Sequence, residues 1–305
     1  MSRIHDALKK AEREKASGSH GTFDAPPYLP PQPPVPGSAL RDNLHFPSQP
    51  AAVSDEMLRL GDLAANCSEP GWNLNPAMCV FAEGVASSTL NAEQFRTLRA
   101  RLRQIQSNRP LRTVLVTSAV PGEGKTFISG NLAQALAQQS GQRVLLIDTD
   151  LRRPRQHVLL GAPSSPGLAD FLRSGEENPL PIIQRGPVEN LFLIPGGAPA
   201  ADAAELVASA RLRELLARLT PLFHWIILDS PPVLSVSDAA VLAAMCDGVI
   251  FVVKAGSTAL EPSRRACDEF QGKNLLGVVL NGAAEDAAYG QYYYAYQTAE
   301  DAAKS

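Results

Sequence analysis

Read as a pattern of apolar and polar positions, residues from about 87 onward alternate between short apolar runs and longer stretches with helical spacing. The runs at 113–117, 143–148, 191–194, 225–229, 248–253 and 276–280 are apolar at almost every position. That is the pattern of strands buried on both faces of a parallel sheet, since a half-solvated strand would alternate apolar with polar. Between them, residues 87–105, 125–139, 167–174, 202–219, 237–245 and 262–271 read as helices, the first capped by Thr89 or Asn91. The alternation predicts an α/β domain, a mainly parallel twisted sheet with helices on both faces.

The first third of the chain has no such order. Residues 2–15 read as a short basic helix with Ile4, Leu8 and Ala11 on one face, suited to weak docking on a partner or anionic surface and equally to standing free in water. Nine prolines fall within residues 24–50, so that stretch cannot offset its ordering entropy and is expected to be an extended linker. Around it, Leu58, Leu60 and Leu63 hint at a helix that Gly61, Pro70, Gly71 and Pro76 interrupt. The expected organisation is a helix at 1–16, a proline-rich disordered linker at 17–50, a semi-ordered approach at 51–86, a main domain at 87–285 and a tail at 286–305.

The first buried strand runs straight into Ser-Ala-Val-Pro-Gly-Glu-Gly-Lys-Thr, residues 118–126. Gly124, Lys125 and Thr126 satisfy the phosphate-loop pattern G-x-x-x-x-G-K-[ST], and only Ala119 departs from it, at the first position. The expectation is a P-loop NTPase-like fold binding ATP and Mg2+. Pro121, Gly122, Glu123, Gly124, Lys125, Thr126 and Phe127 would line the nucleotide, with backbone amides around the phosphates at a helix N-terminus. Lys125 would reach the β and γ phosphates, and the Thr126 hydroxyl would ligate the metal.

Two other strands end in carboxylates, one in Asp148-x-Asp150 and one in Asp229. Ligands of doubly wound sheets bind at the carboxyl ends of the strands, so Asp148, Asp150 and Asp229 should meet the phosphate loop. A strand-end aspartate is commonly only a turn former, but three in one phosphate-loop domain supply what phosphoryl transfer requires. Thr126, Asp150 and Asp229 are the candidate metal ligands, and Asp148 or Asp150 the carboxylate that accepts a proton from an attacking hydroxyl. The sequence does not decide between these two; Asp150, nearer the loop, is favoured. Arg152 and Arg153 follow as candidate guides for an acidic segment or phosphates.

Five of the six tyrosines, Tyr289, Tyr292, Tyr293, Tyr294 and Tyr296, lie within eight residues near the C-terminus. No strand or helix period buries them on one face, so they read either as acceptor hydroxyls on an exposed, mobile tail or as an aromatic edge packed back on the domain. Glu93, Arg96 and Arg99 fall at i, i+3 and i+6 of the first helix, a side either solvated or able to form ion pairs between subunits.

Composition narrows the setting. A net charge of −3 and a pI near 6.0 give no general drive toward nucleic acid. Cys67, Cys79, Cys246 and Cys267 have no C-x-x-C spacing and read as reduced, mostly buried thiols of a cytoplasmic protein. Neither a signal-peptide core nor an apolar run long enough to span a membrane is evident, so the chain is expected to be neither secreted nor membrane-spanning.

Together these residues resemble the bacterial tyrosine autokinases of exopolysaccharide synthesis, over about residues 87–297. Residues 119–126, 145–150 and 226–229 are similar to that family's three nucleotide motifs. Glu93, Arg96 and Arg99 resemble its E-x-x-R-x-x-R ring-forming motif, and residues 277–281 the strand whose asparagine, here Asn281, meets the adenine. The opening Met-Ser-Arg-Ile resembles stand-alone cytoplasmic members found beside exosortase-associated polysaccharide loci. The resemblance implies a homo-oligomeric ring, a separate membrane activator of the chain-length-determinant type and a cognate phosphatase. It also implies placement at the inner face of the membrane through that activator, and phosphorylation of the tail in trans. One departure is Ala203-Ala204 before Glu205-Leu206, where the family usually has Asn-Pro. Two rivals stand beside this reading. A partitioning or cell-division ATPase would carry a signature lysine where this chain has Val120, and a non-catalytic nucleotide-responsive scaffold would leave the tail unmodified.

Overall fold

The structure, a computed structural model, describes residues 61, 63, 66–75, 90–270 and 274–283. The expected N-terminal helix, the proline-rich linker, Cys79 and the tyrosine cluster lie outside the described residues. A helix α1 (Leu90–Asn108) precedes β1 (Thr113–Ser118), α2 (Lys125–Ala137), β2 (Val144–Asp148), α3 (Gln156–Leu160), α4 (Leu168–Arg173), β3 (Gln184–Arg185) and β4 (Leu191–Ile194). Then come α5 (Ala203–Ala208), α6 (Ala210–Leu219), β5 (Trp225–Asp229), α7 (Asp238–Ala243), β6 (Gly248–Lys254), α8 (Leu260–Asp268) and β7 (Leu275–Asn281).

The seven strands form one sheet in the order β3-β4-β2-β5-β1-β6-β7. All neighbours pair in parallel except β3, which runs antiparallel on β4 at one edge. The apolar runs become strands because alternate side chains enter two separate cores. Val114, Val116, Val144, Leu146, Trp225, Ile227, Ile250 and Val252 pack with α1 and α2 on one face. Leu115, Leu145, Ile147, Ile226, Leu228, Val249, Phe251 and Val253 pack with α4 to α8 on the other. Each such side chain contributes on the order of 1.5–3 kcal/mol by leaving water, which is why the middle positions of these strands are apolar.

Two features differ from the sequence expectation, and a third lies in the stretch it leaves semi-ordered. The single helix foreseen over 202–219 is two, because Ser209 adopts an extended conformation (φ −65, ψ 147) and its side chain accepts the Leu212 N–H as the cap of α6. A hydroxyl that bonds the backbone locally competes with helix continuation. Asn91 sits inside α1 and does not cap it. Finally, part of the approach segment lies against the sheet edge. Leu63 is buried in the core, Ser68 bridges Gln184 in parallel, and the Asn73 N–H donates to Gly161 O.

Cys246 and Cys267 are buried and Cys67 half-buried, all as free thiols. Burial pushes each thiol's pKa upward, which leaves it unreactive. No helix among the described residues is long and apolar enough to cross a membrane.

Candidate active site

The loop between β1 and α2 takes its shape from two glycines in the left-handed region, Gly122 at φ 84 and Gly124 at φ 95. Gly124 caps α2, and a Cβ placed on it would come within 2.0 Å of Asn281 Nδ2. Ala119 needs no such freedom. It is fully buried, and positive φ in non-glycine residues is confined, among the described residues, to Asn190 and Asn274. The departure from the phosphate-loop pattern therefore leaves the loop geometry untouched.

Glu123 braces this loop from inside. Its carboxylate, 1% exposed, accepts the Val120 N–H at 2.8 Å and the Thr258 hydroxyl at 2.6 Å. Asn281, at the end of β7, donates its amide to Glu123 O at 2.8 Å. Glu123 thus serves the loop through a buried side chain, a role sequence reasoning missed. Asn281, expected at the adenine by resemblance, is found holding the loop.

The first bond of α2 runs from Ile128 N–H to Gly124 O, so the amides of Lys125, Thr126 and Phe127 have no carbonyl to serve within the helix. Pro121 has no N–H and contributes only shape. The Phe127 ring packs edge-on against Phe95 of α1, with centroids 6.1 Å apart, so that residue can offer a ligand its backbone but not its ring.

The three aspartates converge here. Asp148 and Asp229 occupy paired positions of neighbouring parallel strands and are 0% and 1% exposed. Asp148 accepts the N–H groups of Asp150 at 3.3 Å, Arg155 at 2.8 Å and Gln156 at 2.9 Å, which holds the turn after β2 in place. Burial, then repulsion from Asp229, still pushes its pKa well above the ordinary carboxylate range. Asp229 is raised to about 6 by burial, opposed by Lys125 and by the Thr126 and Gln156 side chains. Asp150 is half-buried and accepts the Arg153 N–H at 3.1 Å; its pKa is raised by burial and lowered by that bond and by Lys125. Lys125, itself 7% exposed, therefore lies close enough to bear on both Asp150 and Asp229.

Gln156, the first residue of α3, carries no local signal in the sequence. Its Nε2 lies 3.1 Å from Thr126 O, 2.7 Å from Ser129 Oγ and 3.0 Å from Asp229 Oδ2, tying the phosphate-loop helix to the strand-end carboxylate. Asp229 Oδ1 is buried without a hydrogen-bond partner. An orphan carboxylate oxygen beside a threonine hydroxyl and an ammonium fits a hydrated divalent cation carried by nucleotide phosphates. Such a cation takes few protein ligands, and among the described residues no group of three or more His, Cys, Asp or Glu gathers as a metal cage.

Arg152 is engaged by the buried Asp238 of α7 at 3.1 Å, whereas Arg153 and Arg155 are exposed. On α1, away from the aspartates, Glu93 and Arg96 pair within the chain at 2.8 Å, and Arg99 donates to Ala135 O of α2 at 2.8 Å.

A mainly parallel sheet with a phosphate loop after an interior strand, facing strand-end aspartates, defines a nucleotide-binding P-loop protein, and the family described as AAA domain matches residues 111–269. Tyrosine-protein kinase YwqD of Bacillus subtilis is 34% identical over 210 residues, 67% of this chain and 87% of the relative. Tyrosine-protein kinase wzc of Salmonella typhimurium is 32% identical over 215 residues, 68% of this chain but only 30% of that longer protein. The solved kinase domain of Escherichia coli tyrosine kinase ETK superposes with a TM-score of 0.65 at 30% identity, covering 70% of this chain and 83% of that one. The chain belongs to the bacterial tyrosine-protein kinases.

Proposed function

We propose that the chain is an ATP-dependent tyrosine autokinase that phosphorylates the C-terminal cluster of another copy of itself. The observation that carries this is the meeting of a braced phosphate loop with Asp148, Asp150 and Asp229 at one sheet edge, in a chain that bears five tyrosines in its last twenty residues. The first-turn amides of α2 and Lys125 would hold the triphosphate, and the Thr126 hydroxyl with Asp229 Oδ1 would hold Mg2+ directly or through water. The metal, when bound, offsets charge on the transferring phosphoryl group.

Asp150 is the base. Its carboxylate is the least enclosed of the three, whereas Asp148 is occupied by three backbone amides. It takes the proton from the tyrosine hydroxyl as the phenolic oxygen bonds to the γ phosphorus, and the bond from that phosphorus to the bridging oxygen breaks to release ADP. A phenol of pKa near 10 is not ionised beforehand at neutral pH, so the transfer and the proton loss belong to one step.

The finer reading extends to a ring in which the α1 side bearing Glu93, Arg96 and Arg99 meets a neighbour. A membrane activator of the chain-length-determinant type places the ring at the inner membrane face, a phosphatase resets it, and the output is control of exopolysaccharide synthesis. Support comes from the family and from the arginine-rich side of α1. Val120, where a partitioning ATPase has its signature lysine, rests partly buried against the core and offers a neighbour no charge. Incubation with ATP and Mg2+ followed by intact mass tests the reading. Steps of one phosphate on residues 289–296 are expected; ADP release without modification would return the chain to a simple ATPase, and neither outcome to a scaffold.

A further inference from the structure

At the sheet edge opposite the aspartates, a cleft of about 370 Å3 is lined by Arg103 and Gln106 of α1 with Pro110, Arg112, Gln142 and His224. Arg112 and His224 immediately precede β1 and β5, and Gln142 lies two residues before β2, so the cleft opens at strand N-termini, about 17–20 Å of strand away from the phosphate-transfer site. No step of that chemistry uses it.

Its charge is one-sided. Arg103, Arg112 and Arg143 surround His224, whose Nδ1 accepts the Arg143 N–H at 3.1 Å and leaves Nε2 as a donor. The neighbouring carboxylate Asp247, just before β6, is bound through Oδ2 by the Arg112 and Thr113 amides at 2.8 and 2.9 Å. Arg112 holds Thr220 O with one guanidinium nitrogen and Arg143 holds Leu222 O with its Nε, whereas the Arg103 side chain has no hydrogen bond or ion pair among the described residues. Unused guanidinium forks and an imidazole donor facing one space match a phosphate dianion. Pro110 and the neighbouring Leu111 add an apolar wall suited to an aromatic ring.

We propose that this cleft is a second phosphate site that takes a phosphate monoester, and that the phosphotyrosine of a modified tail is the monoester it fits. The choice of the tail as source rests on the autokinase reading; the anion chemistry does not. Arg103 lies one turn beyond Arg99 on α1, so occupancy would bear on the helix side that carries the Glu93, Arg96 and Arg99 motif.

The test titrates the full chain, saturated with Mg2+ and ADP to fill the phosphate loop, with a synthetic peptide of residues 286–300 phosphorylated at Tyr292 and Tyr293. The unphosphorylated peptide, phenyl phosphate and inorganic phosphate are the other arms. The phosphopeptide is expected to bind, and Arg103→Glu to weaken it by about tenfold or more with ADP affinity unchanged. In wild type the His224 ring signals should shift and its pKa rise as the site fills. If inorganic phosphate matches the phosphopeptide and competes with it, the site stands with free phosphate as its source; a phosphopeptide about tenfold tighter assigns the tail. Equal affinity in Arg103→Glu, a His224 signal that never moves, or binding by neither phosphopeptide nor phosphate overturns the proposal. Because the peptide is synthetic, a chain that failed to phosphorylate its tail would still be tested here.

Discussion

Asp148 and Asp229 stand side by side at the ends of adjacent parallel strands, equally buried, yet only one of them is fully satisfied. Both oxygens of Asp148 accept backbone amides, while Asp229 receives the Gln156 amide on Oδ2 and nothing on Oδ1. The first carboxylate organises the turn. The second is left to bind.

Burial makes Asp229 a cost to the ligand-free fold. Its folded pKa of about 6 lies above the usual value, so the folded state holds the proton more tightly than the unfolded chain. The resulting stability is present below about pH 4 and lost as pH rises through about 6. Asp229→Asn is expected to raise ligand-free stability at pH 7.5 by on the order of 1–3 kcal/mol while abolishing phosphorylation. Chemical denaturation between pH 4.5 and 7.5 checks this; a variant no more stable than wild type at pH 7.5 removes the argument.

Lys125→Met is expected to eliminate phosphate transfer to the tail, a loss of at least about a thousandfold in rate, with the far-ultraviolet circular dichroism unchanged. The ammonium bears on Asp150 and Asp229 but is packed into no core cluster. Persistent phosphotyrosine in this variant would mean that the loop does not bind the transferred group.

The brace under the loop is separable from the chemistry. Thr258→Val keeps the shape of a buried side chain but removes the 2.6 Å bond to Glu123. One lost buried hydrogen bond to a charged group is worth about 1.5–3 kcal/mol, and part of it should appear as KM for ATP rising about five- to fiftyfold with a smaller change in kcat. A variant with unaltered KM would show that the loop keeps its shape without Thr258.

Replacing Glu93, Arg96 and Arg99 together by alanine is expected to give monomers by light scattering. Because Arg99 also donates to Ala135 O within the chain, a loss of about 1 kcal/mol in monomer stability should accompany it. Arg96→Ala alone avoids that second effect and should still weaken assembly. An unchanged oligomer in both variants removes this helix from the interface.

Legibility in the sequence followed sequence distance. The buried strands were readable because a parallel strand must be apolar throughout, and the strand-end aspartates because each interrupts such a run. The two-residue edge strand Gln184–Arg185 was not, since its pairing depends on Leu193 and Phe192 and its own residues are polar. Nor was the break at Ser209, where one hydroxyl outweighs good helix formers on both sides. Gln156 and the side chain of Glu123 were invisible for a different reason. Their partners lie 27 and 73 residues away in one case and 135 in the other, and no local pattern encodes such contacts.

Asn281, the last residue of the last strand, touches the phosphate loop. Tyr289 is eight residues past that contact and Tyr296 fifteen, so the proposed acceptors are tied by a covalent leash to a point beside the proposed nucleotide site, with a reach of at most roughly 26–29 Å at its near end and 50–54 Å at its far end. Within such a radius a hydroxyl is offered to an adjoining copy at an effective concentration on the order of millimolar, so proximity can replace recognition of the residues around each tyrosine. The five acceptors then differ mainly in how far along the leash they sit, and lengthening the segment between Asn281 and Tyr289 should slow modification by dilution alone.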